Sequence, residues 1–335
     1  MEELKVTLLE VKNLRKSFRV NASLGRPAAR LVAVDDVSFY LNRGEILGLV
    51  GESGCGKSTT GKLIIQLQKA DSGQVFFAGE ELTHLSPRQL RTHRKRVQMI
   101  FQDPFSSLNP RMTVGAILSE PFVIHKLAPA REINDRVIEL LEQVGLSPEH
   151  AQRYPHEFSG GQRQRVGIAR ALAVEPDLII ADEPVSALDL SVQAQVINLL
   201  KRIQQERGLS YLFIAHDLAV IEHVSDRIAV MYLGKIVELT SAAELYKNPR
   251  HPYTEALMNA VPTPDPDHPR PAALTGEIPS PINPPSGCYF HPRCPYADQL
   301  CRQQAPPLSE LGQDHLVACH HHSKVGKYLL HKRPI

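Results

Sequence analysis

A glycine-rich segment between a short apolar run and a helical pattern constrains the fold of this chain more than any other feature. Residues 51–58 read GESGCGKS and match the pattern G-x-x-x-x-G-K-[ST] in full. The apolar run Ile46–Val50 precedes this segment, and a helical stretch through Ile64 and Ile65 follows it. A strand, a glycine-rich loop and a helix in this order predict a backbone that wraps around a phosphate group.

The residue types of this phosphate loop suit a nucleoside triphosphate with Mg²⁺. Glycines let backbone N–H groups curl around phosphate oxygens, and the helix that follows directs its positive end at the same charge. We expect Lys57 to reach the β and γ phosphates, Ser58 to ligate Mg²⁺ and Thr59 to support it. We interpret Cys55 as a small loop residue and not as a nucleophile. The predicted loop residues are Gly51, Glu52, Ser53, Gly54, Cys55, Gly56, Lys57, Ser58 and Thr59.

Two acidic residues end a second apolar run, Leu178–Ala181. The carboxyl ends of parallel strands form the ligand edge of an α/β sheet. We therefore expect Asp182 to hold Mg²⁺ through water and Glu183 to act as the general base on an attacking water molecule. His216 follows the apolar run Tyr211–Ala215 and is a candidate for hydrogen bonding to the γ-phosphate. The alternative is a partly buried histidine that caps the next helix.

A second anion-binding pattern, FSGGQ, occupies residues 158–162 and precedes a helical stretch with several arginines. A serine, two glycines and a helix N-terminus all favour anion binding. Since one nucleotide does not need two such loops, we expect this segment to bind the γ-phosphate held by another copy. The alternative is an ordinary capped helix start. Further along, Asp189 is predicted to cap a helix of regular apolar spacing.

Alternating strand and helical patterns predict an α/β fold with a mostly parallel sheet and helices on both faces. Residues of about 86–160 interrupt this alternation with a polar helical segment that has little strand signal. Eleven of the 26 prolines fall between Pro262 and Pro295, where a regular sheet or helix bundle is therefore unfavourable. We divide the chain into a core of residues 1–260 and a small separate module of residues 261–335.

The composition excludes several function classes. The 335 residues carry a net charge of +2, which is too weak to indicate nucleic-acid binding through bulk electrostatics. No apolar run approaches the roughly 18 residues that a membrane helix needs. The first residues lack the basic and apolar regions of a secretory signal. We therefore expect a globular protein in the cytosol, where disulfides are rare.

Four of the five cysteines lie in the C-terminal module with the spacing C-x5-C-x6-C-x17-C. Four thiolates are the ligand set of a [4Fe–4S] cluster or of a structural zinc ion. Zinc sites often use C-x2-C pairs, which this spacing lacks, and reduced cysteines without a ligand are a third alternative. The predicted metal ligands are Cys288, Cys294, Cys301 and Cys319, with His291, His315 and His320–His322 as alternative ligands.

In its motifs and their order, the chain resembles the nucleotide-binding subunit of ABC transporters over roughly residues 5–260. The resemblance implies a P-loop NTPase core of the RecA-like type with an inserted α-helical subdomain. It also implies ATP hydrolysis by a head-to-tail dimer, in which each ATP lies between the phosphate loop of one subunit and the signature of the other. The matching positions are the phosphate loop, the Q-loop Gln102, the signature Ser159, Gly160, Gly161 and Gln162, the pair Asp182 and Glu183, the D-loop Ser186–Asp189 and the switch His216.

The same resemblance assigns further roles. Phe18 stands where the family has its adenine-stacking aromatic residue, Gln102 ligates Mg²⁺ and reports the nucleotide state to membrane subunits, and Asp189 belongs to the ATP site. Because Glu183 and His216 are both present, hydrolysis is expected at the site formed by this chain's phosphate loop.

Finer detail resembles the F-type ATPase subunit of oligopeptide/dipeptide importers. The matching segments are 100–104, 107–112, 251–254 and 276–281. This resemblance implies a second, different ATPase subunit, two membrane permease subunits and a separate substrate-binding protein as partners, at the cytoplasmic face of the inner membrane. It also favours a [4Fe–4S] cluster over zinc at the cysteines. A nickel or other small-solute importer and a soluble ABC ATPase are the alternative functions.

Overall fold

The computed structural model describes residues 6–20, 29–103, 107–260, 276–312 and 314–326. The strands are β1 Thr7–Val20, β2 Ala29–Asn42, β3 Ile46–Val50, β4 Ser72–Phe77, β5 Glu80–Glu81, β6 Val97–Ile100, β7 Leu178–Asp182, β8 Ser210–Ala215, β9 Arg227–Tyr232, β10 Lys235–Ser241, β11 Ser309–Glu310 and β12 Leu316–Val317. The α-helices are α1 Lys57–Ile64, α2 Pro87–Arg96, α3 Val114–His125, α4 Ile133–Gln143, α5 Gly160–Leu172, α6 Leu190–Arg207, α7 Leu218–Glu222, α8 Ala242–Lys247, α9 Pro252–Asn259 and α10 Gln299–Gln303.

The chain forms two compact units, each assembled from segments that are distant in the sequence. Unit 1 contains Met1–Leu8, Leu41–Ile46 and His84–Ile214, and unit 2 contains Leu9–Tyr40, Leu47–Thr83 and Ala215–Ile335. The α/β fold expected from the sequence is confirmed in both units.

The sheet of unit 1 is parallel, with β7 between β6 and β8. Ile180 of β7 is paired with Met99 on one side and with Leu212 on the other. Every residue of β7 and β8 is buried, as their continuous apolar sequences predict for a central parallel strand. Strand β6 lies in the segment that the sequence predicts to be helical. Its four residues are too few to give a strand period against the basic helix before it.

The helical part of unit 1 is built from α3, α4 and α5, which pack against one another. Each helix contributes an apolar face, represented by Ile117, Leu141 and Val166, none of which is more than 1% exposed. Ser159 caps α5 and Asp189 caps α6 through side-chain oxygens that accept backbone N–H groups. The cap predicted at Asp189 is therefore confirmed.

Unit 2 contains an antiparallel sheet in the order β2-β1-β4-β5 and a second set of strands built on β9. Strand β9 pairs in parallel with β3 and antiparallel with β10. The short strand β12 then adds to β10, with Val317 opposite Glu238. A two-residue strand carries no periodicity, so the sequence could not reveal this pairing. The described C-terminal residues, 276–312 and 314–326, belong to the same compact unit as the phosphate loop.

None of the helices in the described part of the chain combines the length and the apolar character that a membrane crossing requires.

Candidate functional site

The phosphate loop of unit 2 connects β3 to α1 and is held close to neighbouring backbone. A β-carbon on Gly51 would lie 2.1 Å from the carbonyl oxygen of Met231, and one on Gly56 would lie 2.0 Å from that of Ala33. Gly56 also has a φ of 108°, which side chains rarely adopt. Both positions therefore require glycine, and the pattern read from the sequence has a steric basis.

Lys57 is the first residue of α1 and is only 3% exposed. Its Nζ donates hydrogen bonds to the carbonyl oxygens of Gly51 at 2.7 Å and Glu52 at 3.0 Å. A buried ammonium group thus lies inside the loop, and phosphate oxygens are the acceptors that could replace the two carbonyls.

The surroundings of Cys55 disfavour a role as a nucleophile. The residue is buried, and burial raises the pKa of its thiol, with the neighbouring Lys57 opposing the shift. Because the thiolate is the reactive form, a raised pKa disfavours reaction at this cysteine. This environment supports the interpretation of Cys55 as a small loop residue.

In unit 1 the structure brings Gln102 and Glu183 together across 81 positions of sequence. The side-chain Nε2 of Gln102 donates a hydrogen bond of 2.9 Å to Oε2 of Glu183. Glu183 follows the buried end of β7 and has a φ of 45°, while its N–H donates to the carbonyl of Ile214 at 2.9 Å. A non-glycine residue in this strained region, at the end of a central strand, is typical of functional sites. Asp182, the preceding residue, is 3% exposed.

The signature segment begins α5 and packs against the start of α6. Ser159 and Gln162 form a reciprocal pair, in which each side chain accepts the backbone N–H of the other. A β-carbon on Gly161 would lie 2.3 Å from Cγ1 of Val192. This glycine therefore has a packing role of its own. Asp189 accepts from the N–H of Val192 at 3.0 Å, and this bond lowers the pKa of its carboxyl.

Phe18 and His216 are both placed in unit 2. Phe18 is a half-buried residue of β1, with Nζ of Lys16 5.5 Å from its ring centroid. His216 is exposed after β8, and the cap of α7 is Asp217, which accepts the N–H of Ala219 at 2.8 Å. The alternative interpretation of His216 as a partly buried helix cap is therefore wrong.

The cysteines of the C-terminal segment converge on one small cavity, which Cys288, Cys294, Cys301 and Cys319 all line. All four are free thiols. Burial raises the pKa of each, to about 12 for Cys294 and Cys319. Cys301 is buried and the other three cysteines are partly buried. Neutral thiols gathered at one cavity fit a metal centre, since metal binding deprotonates such thiols.

A second potential ligand group overlaps this cavity. Asp298, Cys301 and His321 offer ligand atoms within 4.8 Å of one another, and they are the one such group in the described ranges. Oδ1 of Asp298 accepts the N–H of Cys301, and its Oδ2 lies 2.8 Å from Nε2 of His321. The N–H of His321 donates to Sγ of Cys319. His321 is among the histidines that the sequence suggested as alternative ligands.

Two family profiles match the chain. The family described as ABC transporter matches residues 34–186, and the family described as oligopeptide/dipeptide transporter, C-terminal region, matches residues 237–301. The second match covers most of β10, the helices α8 and α9, and three of the four clustered cysteines.

Curated relatives match the chain over almost their full length. The oligopeptide transport ATP-binding protein AppF of Bacillus subtilis is 55% identical, with 95% of this chain and 98% of that protein covered. The oligopeptide transport ATP-binding protein OppF of Haemophilus influenzae is 53% identical, with 94% and 97% covered.

Solved ATP-binding cassettes have the same fold. The cassette MJ0796, in a dimeric post-hydrolysis state with ADP and Pi, is 28% identical, with a TM-score of 0.63 and coverage of 70% of this chain and 99% of that one. CbiO1 of Clostridium perfringens is 26% identical, with a TM-score of 0.61 and coverage of 72% and 91%. Together with the identity to the curated relatives, these matches mean that the chain belongs to the ABC transporter family, in the group that carries the oligopeptide/dipeptide transporter C-terminal region.

Proposed function

We propose that this chain is the ATP-hydrolysing subunit of an importer for dipeptides or oligopeptides. The observation that carries the proposal is its identity of 55% to an oligopeptide transport ATP-binding protein over 95% of the chain. The C-terminal match to the oligopeptide/dipeptide transporter region favours a peptide over nickel or another small solute. A soluble ABC ATPase is disfavoured by the same match.

In this function, the phosphate loop holds the triphosphate, with Lys57 at the β and γ phosphates. Ser58 and Gln102 would ligate Mg²⁺ and Asp182 would hold it through water, and the ion would neutralise phosphate charge. Glu183 takes a proton from the attacking water, whose oxygen bonds to the γ-phosphorus as the bond to ADP breaks. Supporting this role, Gln102 orients the Glu183 carboxylate through a hydrogen bond of 2.9 Å.

The remaining predicted site residues complete the proposed site. Phe18 stacks on the adenine, and His216 contacts the γ-phosphate. Ser159, Gly160, Gly161 and Gln162 bind the ATP of a partner subunit in a head-to-tail dimer, with Asp189 beside them. The N-terminus of α5 suits this purpose, since its backbone N–H groups favour an anion.

The proposed partners are a second ABC ATPase subunit, two membrane permeases and a substrate-binding protein. The chain lies at the cytoplasmic face of the membrane as a peripheral subunit, and nucleic acid is not a partner. The helical region of unit 1 docks the permeases. Supporting this, Val123 and Ile124 at the end of α3 are 62% and 53% exposed, which suits contact with another protein.

Reconstitution of the whole transporter tests the function. With permeases, partner ATPase and binding protein in vesicles, labelled dipeptides or oligopeptides should accumulate when ATP is supplied, and peptide-loaded binding protein should raise the ATPase rate. Uptake of ⁶³Ni²⁺ without peptide uptake would assign the chain to nickel import. An isolated monomer that hydrolyses ATP as fast as the assembly would contradict the dimer mechanism.

We further propose that the four cysteines hold a [4Fe–4S] cluster, with zinc as the alternative. The cavity that all four cysteines line and the raised pKa values of their thiols support four thiolate bonds to a metal group. Such a metal group would cross-link four cysteines between Cys288 and Cys319. Because this segment has few helices and strands of its own, we propose that the role of the metal group is structural. The proposed ATPase domain comprises residues 1–260 and the proposed metal-containing C-terminal module residues 261–335, whose described part belongs to unit 2 with the phosphate loop.

Metal content decides between these groups. Protein purified without oxygen should contain about four irons per chain and acid-labile sulfide, and Cys294→Ser should remove most of the iron. Cys55→Ser is the matched control, because it deletes the one cysteine outside the cavity and should keep the iron. One zinc ion per chain in the wild-type protein, lost in Cys294→Ser, would identify a zinc site. Metal-free wild-type protein would contradict both.

A further inference from the structure

One ion pair joins the C-terminal segment to the phosphate loop. Arg293 donates from Nη1 to Oε2 of Glu52 at 2.8 Å and from Nη2 to Oε1 at 3.0 Å. The arginine side chain is 4% exposed and the glutamate side chain 22% exposed. A two-bonded pair with a buried guanidinium fixes its partner in direction as well as in distance, unlike a mobile surface ion pair.

Glu52 is held at three points. Its carboxylate binds Arg293, its N–H donates to the hydroxyl of Tyr253 at 2.8 Å, and its carbonyl accepts from Nζ of Lys57 at 3.0 Å. Two of these contacts, to Arg293 and Tyr253, come from residues far along the chain. The position of this loop residue is thus set by C-terminal residues as well as by the loop itself.

Arg293 belongs to a short turn that lies between two of the clustered cysteines. It ends a 3₁₀ turn, His291–Arg293, that lies between Cys288 and Cys294. The N–H of His291 donates to the carbonyl of Cys288 at 3.0 Å. Whatever holds the two cysteines therefore also holds the arginine.

Aromatic residues anchor the same turn to the body of unit 2. Phe290, immediately before the turn, lies with its ring centroid 5.3 Å from that of Tyr232 and 5.5 Å from that of Tyr253. All three are at most 1% exposed. Tyr253 also accepts the N–H of Glu52, so the aromatic cluster and the ion pair act on one loop residue.

We infer that Arg293 is a positioning residue for ATP binding, which acts through Glu52 on the phosphate loop. The inference rests on the proposed function, since it assumes that this loop binds ATP. The Arg293 guanidinium neutralises the charge of the Glu52 carboxylate and orients this carboxylate towards the C-terminal segment. Without Arg293, a free carboxylate remains in a loop that must accept the negative charge of a triphosphate, and like charges repel.

A double-mutant cycle on the full chain, with mant-ATP as the fluorescent probe, tests the inference. Arg293→Met should raise the Kd for mant-ATP by about tenfold, which corresponds to about 1.4 kcal/mol. In a Glu52→Gln background, which removes the charge, Arg293→Met should change the Kd by less than about twofold. Such non-additivity is expected only of residues that act on each other.

Two further variants separate positioning from folding. Tyr289→Phe is the matched control, because it removes another bond between the C-terminal segment and the rest of unit 2, Tyr289 to Asp35 at 3.0 Å, and should leave the Kd within about twofold. Arg293→Lys keeps the charge but not the two-bonded fork, so it should restore the affinity only in part. If Arg293→Met does not fold, the Kd of Arg293→Lys for mant-ATP tests the inference in its place.

The inference is overturned if Arg293→Met lowers the melting temperature and leaves the Kd unchanged, or if its effect is equally large with Glu52→Gln. An unchanged Kd in Arg293→Lys, when Arg293→Met does not fold, overturns it as well. In the assembled transporter, Arg293→Met should raise the KM for ATP with little change in kcat. Wild-type chain that fails to bind mant-ATP would refute the proposed function instead, so the two failures are distinguishable.

Discussion

Glu183→Gln is expected to lower ATP turnover by about 10²- to 10⁴-fold while ATP binding is retained, because the amide cannot take a proton from water. The amide oxygen can still accept the hydrogen bond that Gln102 donates at 2.9 Å, so the geometry of the site is preserved. Phosphate release by the assembled transporter and mant-ATP binding measure the two effects. Since hydrolysis no longer ends the cycle, ATP should also trap the closed dimer, visible by size-exclusion chromatography.

Glu175→Gln is the matched control for this variant. This substitution makes the same change of charge in the same unit. Glu175 is exposed and has a similarly positive φ, 52° against 45° for Glu183. The Glu175→Gln variant should turn over ATP at the wild-type rate. Full turnover by Glu183→Gln would refute the assignment of the general base, and loss of mant-ATP binding would refute a role limited to the chemical step.

Lys57→Met is expected to weaken ATP binding by roughly 100-fold, or about 2.7 kcal/mol, because a buried ammonium group makes charge-assisted bonds to phosphate. The side chain is 3% exposed and already lies inside the loop, bonded to the carbonyls of Gly51 and Glu52. Methionine keeps the apolar stem and removes only the charge and its donors. Titration with mant-ATP measures the loss directly.

Lys62→Met provides the comparison, since Lys62 lies in the last turn of the same helix α1. It should bind mant-ATP within about twofold of wild type. Thermal melts of both variants in the absence of nucleotide separate binding from stability. Wild-type affinity in a folded Lys57→Met variant would remove the lysine from the proposed phosphate site.

Local sequence was sufficient for the features that depend on neighbours in the chain. The phosphate loop followed from its glycines, lysine and flanking elements, and structure adds the steric reason at Gly51 and Gly56. The caps of α5 and α6 followed from Ser159 and Asp189, because a capping bond spans only three residues. Buried strands such as β7 followed from continuous apolar runs.

Contacts between distant segments were decided only by the tertiary structure. The bond from Gln102 to Glu183 spans 81 positions, and that from Arg293 to Glu52 spans 241. Four cysteines with suitable spacing indicated a metal, but their shared cavity depends on how the chain folds back between them. Motifs and periodicity report the conformational preferences of residues that are neighbours in the sequence. A hydrogen bond between side chains far apart in the sequence depends on how the whole intervening chain folds. The sequence by itself therefore determined the chemistry available to this protein, and the fold decided which groups act on one another.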